Sequence, residues 1–153
     1  PSDSFSFLVG GSVLHGQHYP DQGAAETCWD PDAKARVALG PNRALGVNAE
    51  GSVGARDATD EAPASDPNGW FASADFRASR RWNFGGFAEA TTELVDDSVR
   101  TRRWGGFLGL ALMEETTMFR LVGRAVDPEE AGSSGEVLVQ ALFGLGPHRA
   151  HPY

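Results

Sequence analysis

The sequence predicts an all-β protein: a closed, antiparallel, up-and-down barrel of about eight strands, built as one domain over residues 1–153. Apolar and polar residues alternate with period two over stretches of ~10 residues or more, longer than the ~5–6 of an ordinary strand. Turn residues separate these stretches, and the links between them alternate between long and short. Gly is 19 and Pro 9 of the 153 residues while Lys is nearly absent, so strong helix formers are scarce among the polar residues.

The clearest segment runs from Trp70 to Trp82, where Trp70, Ala72, Ala74, Phe76, Ala78 and Trp82 oppose Ser73, Asp75, Arg77, Ser79 and Arg81. Successive strand side chains point to opposite faces, so this is a strand with one apolar and one charged face. The same reading sets Leu45, Val47, Ala49, Val53 and Ala55 against Asn48, Glu50, Ser52 and Arg56. It sets Phe84, Gly86, Ala88, Ala90 and Leu94 against Glu89, Thr91 and Glu93. Phe119, Leu121 and Ala125 oppose Arg120 and Arg124, and Val139, Ala141 and Phe143 oppose Gln140. Three further strands are read at Ser4 to His15, near Ala33 to Leu39, and at Trp104 to Met113.

Long polar links are expected at Gln17 to Asp32, Asp57 to Gly69, Val95 to Thr101 and Asp127 to Gly135. Short turns are expected at Gly40-Pro41-Asn42, around Arg81 to Asn83, and at Glu114 to Thr116. The Ala/Asp/Pro-rich Asp57 to Asn68 reads as a mobile loop. Long loops then cluster at one end of the barrel and tight turns at the other.

Alternation reports two faces and not which one is inside. A soluble barrel buries the apolar face; a membrane barrel inverts the order. Strand length favours inversion, since ~9–11 tilted residues cross the hydrocarbon. So does the mixture of signs on the polar faces. Glu50, Arg56, Asp75, Arg77, Glu89, Glu93, Arg120 and Arg124 are expected to form a charge network across a lumen, with Glu89 and Glu93 pairing to Arg77 or Arg120. Aromatics near strand ends, Phe5, Trp29, Trp70, Trp82, Phe84 and Trp104, are expected as interfacial girdles.

Alternating strands, four long loops opposite three short turns, and a last strand at Gly135 to Leu145 in a chain ending at aromatic Tyr153 together resemble the small eight-stranded outer-membrane β-barrel proteins of Gram-negative bacteria. The resemblance is architectural and covers nearly the whole chain. It implies an outer-membrane location, contact with lipid or lipopolysaccharide, and a narrow, side-chain-filled, porin-like barrel of the cell envelope with a structural or partner-binding role. Pro147 and Pro152 depart from the family's closing strand, and Ala and Gly are unusually common on the apolar faces. Small residues permit close approach, so a protein partner in a larger membrane complex, or kinship to a fragment of a larger porin, is also expected.

The formal charge of −8 opposes a nucleic-acid partner, which calls for a basic face. The longest apolar runs, such as Phe107 to Met113, are far too short for a spanning helix. The start at Pro1 without a signal-like stretch suggests that a secretory leader has been removed. Cys28, the one cysteine, lies in a polar, turn-rich stretch and reads as a spectator thiol or a link to another chain.

Two His-x-x-His segments, His15/His18 and His148/His151, are candidate metal ligands. They support the competing reading of a soluble secreted or periplasmic β-barrel or sandwich that binds a metal or small ligand. No cofactor is expected beyond a divalent cation held by the acid-rich loops, which carry Asp21, Glu26, Asp30, Asp32, Asp57, Asp60, Glu61, Asp66, Asp96, Asp97, Asp127, Glu129 and Glu130. No GxSxG or phosphate loop occurs, and Ser12 and His15 fall on opposite faces of a strand. A non-enzymatic protein is expected, with a lipid-modifying barrel enzyme as the competing possibility.

Overall fold

The computed structural model describes residues 4–19, 23–60, 63–93, 97–112 and 117–143. Period-two sequence becomes strand throughout: β1 (Phe5–Tyr19), β2 (Ala24–Gly40), β3 (Arg43–Arg56), β4 (Asn68–Arg77), β5 (Trp82–Thr92), β6 (Arg100–Leu112), β7 (Thr117–Pro128) and β8 (Ser134–Phe143). They form one eight-stranded sheet in sequence order, each strand antiparallel to the next. Lengths run from 10 residues in β4 and β8 to 17 in β2, long enough to cross a hydrocarbon layer.

The expected closed barrel is not formed. The sheet is open, and among the described residues neither β1 nor β8 pairs on its outer edge. Alternation could not have revealed this, because it specifies faces and says nothing of edges. Sheets curl towards closure at bulges and kinks. Among the described residues the register shifts only between Gln17 and Tyr19 and between Ala38 and Gly40, both at strand ends.

Several boundaries differ from the sequence reading. The link from Gln17 to Asp32 is mostly strand, since β1 runs to Tyr19 and β2 starts at Ala24. Cys28, Glu26, Asp30 and Asp32 therefore lie on β2 and not in a loop. Trp82 opens β5 instead of closing the strand before it, and β6 starts at Arg100. Within Asp57 to Asn68, the stretch read as mobile, Ser65 is 5 % exposed. It exchanges backbone hydrogen bonds with Arg56 at 2.9 and 3.1 Å, so this end of the loop extends the sheet. At the β2–β3 turn Gly40 takes a φ of 146°, a region a side chain would disfavour.

Two faces result. The register joins Phe5, Val37, Leu45, Phe76, Phe84, Leu108, Leu121 and Val139 in one row across all eight strands. The next row on that face is smaller: Phe7, Ala35, Val47, Ala74, Gly86, Gly106, Gly123 and Val137. The polar face is the more sheltered one over β4 to β7. In β6, Arg103, Gly105, Phe107, Gly109 and Ala111 are buried or half-buried, whereas Trp104, Leu108 and Leu112 are exposed.

Among the described residues only Ala24, Ala44, Ala90 and Val122 of the apolar set are buried. The accessible surface is 10812 Å², against roughly 7,500 Å² for a compact chain of this mass. Side chains on the polar face instead lie flat across glycines of neighbouring strands. A Cβ placed on Gly85 would run into the Ala74 carbonyl and sit 2.7 Å from Phe107 Cζ, whereas one on Gly123 meets nothing within 4 Å. Gly85→Leu is therefore expected to lower stability by about 1–3 kcal/mol, read as a lower denaturant midpoint. Gly123→Ala should leave that midpoint unchanged or slightly raised.

Candidate functional site

The polar face carries the charges of the strands. Its bases are Lys34, Arg36, Arg56, Arg77, Arg103, Arg120 and Arg124, and its acids are Glu26, Asp30, Asp32, Glu50, Asp75, Glu89 and Glu136. The two sets are equal in number, so the face is neutral, and the −8 of the chain is carried elsewhere. The opposite face holds no charged residue except near strand ends: Arg43, Arg100, Arg102 and Asp127. Neutrality of this kind suits a low-dielectric enclosure, where an unpaired charge is costly.

Contacts within the face follow the register. Arg103 Nη1 donates to Glu89 Oε1 at 3.0 Å across the β5–β6 ladder. Arg124 Nε donates to Glu136 Oε2 at 2.7 Å across β7–β8, with Nη2 at 2.6 Å from the same oxygen. Asn83 Nδ2 donates to Asp75 at 3.0 Å, and Asn48 Nδ2 to Glu50 at 2.9 Å. The Arg120 guanidinium lies 4.5 Å from the Phe107 ring centroid, a cation–π stack. The Phe71 and Phe87 rings stack 6.4 Å apart on the same face.

Of the expected network, Glu50, Arg56, Asp75, Arg77, Glu89, Arg120 and Arg124 share this face, whereas Glu93 lies beyond the end of β5. The expected pairing of Glu89 with Arg77 or Arg120 gives way to Arg103, and Arg124 takes Glu136. Both partners were missed because a cross-strand pair depends on the register between segments, which period alone does not reveal. Arg103 also lay outside the strand as read. Asp30 and Asp32 were read as loop acids because the first half of β2 was read as a link, whereas Lys34 and Arg36 lie in the stretch near Ala33 to Leu39 that was read as strand. On this face Cys28 Sγ lies 3.2 Å from Ser52 Oγ and 3.4 Å from Asp30 Oδ1, and it is a free thiol. The groove between β1 and β5 is about 470 Å³, lined among others by Ser12, Asp30, Asp32, Glu50 and Glu89.

The expected girdle residues Phe5, Trp70, Trp82, Phe84 and Trp104, with Trp29, all lie on the apolar face and are 45–60 % exposed. They fall at two levels. Trp70 stands in the row that continues to Ala90, Arg102 and Asp127, with Trp29 and Trp104 close to that level; Phe5 and Phe84 share a row, and Trp82 lies next to it towards the turns. Between the levels the face is mostly Ala and Gly.

Of the four candidate metal ligands, His148 and His151 lie outside the described residues, as does the side chain of His18. His15 Nδ1 is 2.8 Å from Thr27 Oγ1 on the paired strand. Ser12 faces the other way, 3.4 Å from Asp30, so the two do not form a nucleophile–base pair. The loop carboxylates hold chain segments together: Asp57 accepts from the Ala25 amide at 3.0 Å, Asp97 from the Asp66 amide at 2.8 Å, and Asp127 from Ser133 Oγ at 2.5 Å. Among the described residues no group of three or more His, Cys, Asp or Glu is placed to hold a metal ion. No family model, curated protein or solved structure matches the chain.

Arg103 and Glu89 give a direct measure of how enclosed this face is. A double-mutant cycle with Arg103→Met and Glu89→Gln in the assembled protein is expected to return a coupling of about 1.5–3 kcal/mol, as for charged hydrogen bonds away from water. A solvated surface pair would give about 0.2–1 kcal/mol.

Proposed function

We propose that this sheet is the wall of an outer-membrane β-barrel. The apolar face, charged only near its strand ends, meets lipid or lipopolysaccharide, and the neutral charged face lines a side-chain-filled lumen. The acid-rich loops joining β3 to β4, β5 to β6 and β7 to β8 offer a surface to a protein partner of the envelope. The role is structural or partner-binding and non-enzymatic.

One observation carries the reading: a face charged only near its strand ends runs in register across all eight strands, and over β4 to β7 it is more exposed than the face that holds the ions. In water such a sheet would hide its apolar face in a core. Here Val47 and Phe119 on that face are 46 % and 42 % exposed. Hydrocarbon is the solvent that fits this arrangement, because it accepts the apolar face and penalises charge there. It also requires that both sheet edges be paired.

Extraction tests this. The protein is expected to stay in the membrane pellet through salt and alkaline carbonate, to need detergent, and to migrate differently on a gel when unheated. Release by salt alone would contradict it. Ala74→Arg, at the middle of the apolar face, is expected to cost about 2–4 kcal/mol of stability in the bilayer and to reduce the assembled fraction. Ser73→Arg, on the charged face beside it, should be milder; equal effects would contradict the assignment of faces.

A further inference from the structure

We propose that the two open edges are an assembly surface for a second copy of this chain: β1 of each copy pairs with β8 of the other, and two sheets close one sixteen-stranded barrel. This rests on the membrane-wall reading above and widens its lumen, since ~16 strands enclose more than side chains fill and leave water at the centre. An open edge presents a row of unpaired amides and carbonyls, which proteins usually blunt with charge, proline or a bulge. Here β1 contains no Asp, Glu, Lys, Arg or Pro. β8 contains one charge, Glu136, already held by Arg124 inside the sheet. Both edges are left suited to pairing.

Their side chains match on both faces. The apolar face of β1 shows Phe5, Phe7, Val9 and Val13, and that of β8 shows Val137, Val139 and Phe143, all more than half exposed. On the other face, where β2 to β7 carry ions, the two edge strands carry leucines. Leu8 and Leu14 of β1 are 61 % and 71 % exposed, and Leu142 of β8 is 45 % exposed. Joining the edges with odd residues beside odd residues makes an apolar seam through both faces.

Direction fits as well. Every neighbour in the sheet is antiparallel, so β1 and β8 run in opposite senses. A two-fold axis along the barrel places each β1 beside the β8 of the other copy, antiparallel, with apolar faces still outward. Both edges of both chains are then satisfied. Closure of one chain on itself also satisfies direction, but it needs strong curvature, and the ladders from β3 to β8 contain no register shift to supply it.

Cross-linking between differently tagged chains tests the pairing. In a Cys28→Ser background, one chain carries Gly11→Cys and the other carries Gly135→Cys, Val137→Cys, Val139→Cys or Ala141→Cys in turn; the pair is co-expressed and oxidised in the membrane. One or two neighbouring β8 positions are expected to give a cross-linked species of twice the chain mass carrying both tags. Leu138→Cys, on the opposite face, should give none. Absence of any two-tag product overturns the proposal, as does a chain bearing both cysteines that links only within itself. Carbonate extraction of the cross-linked species separates the two readings. Recovery in the soluble fraction keeps the pairing and removes the membrane; a membrane-bound protein without two-tag product does the reverse.

Discussion

The structure depends on one constraint, the uninterrupted register of its antiparallel ladders. A slip of one residue in any ladder would move every side chain of a strand to the opposite face. Between β6 and β7 it would put Arg120 beside Leu108 or Leu110, and Leu121 among the ions. Because the ladders from β3 to β8 hold register without a shift, a chain with few buried residues nonetheless sorts its side chains into a charged and an uncharged surface.

Energetically this is unlike a soluble domain. Among the described residues the buried apolar side chains are four small or medium ones, so burial of side chains supplies little, and backbone pairing with cross-strand contacts holds the sheet. Phe76 meets Phe84 edge-on at 5.2 Å on the apolar face, and Arg103–Glu89 and Arg124–Glu136 tie strands on the other. A ring pair such as Phe76–Phe84 contributes ~0.2–1 kcal/mol, and an enclosed charged pair about 1.5–3 kcal/mol. The remaining stabilisation has to come from what covers the apolar face and completes the edges.

Much of the sheet was legible in the sequence because in Leu45 to Arg56, Trp70 to Arg77 and Thr117 to Val126 the charged residues keep to one face and the other face is apolar or small. The first half of β2 was not, although its Glu26, Asp30 and Asp32 keep strict alternation with Ala25, Thr27 and Trp29. Pro31 in its midst reads as a break, since proline cannot donate to a ladder. The β2–β3 ladder does pass from Trp29–Val53 directly to Asp32–Glu50. Individual ion pairs were illegible for a different reason: Glu89 and Arg103 meet because of how β5 aligns with β6, a property of two strands and not of either. The open edges belong to the same class, for period two determines where a side chain faces and leaves the neighbours of the outermost strands undetermined.

The assignment of faces is tested most directly by nitroxide labels at two adjacent residues of β4, Phe76→Cys and Arg77→Cys, each in a Cys28→Ser background in membranes. With the apolar face in lipid, the label at 76 collides more with dissolved oxygen than with a water-soluble nickel chelate, and the label at 77 shows the lower oxygen-to-nickel ratio. The reverse order, or equal access of nickel to both, would show that water and not hydrocarbon lies against Phe76.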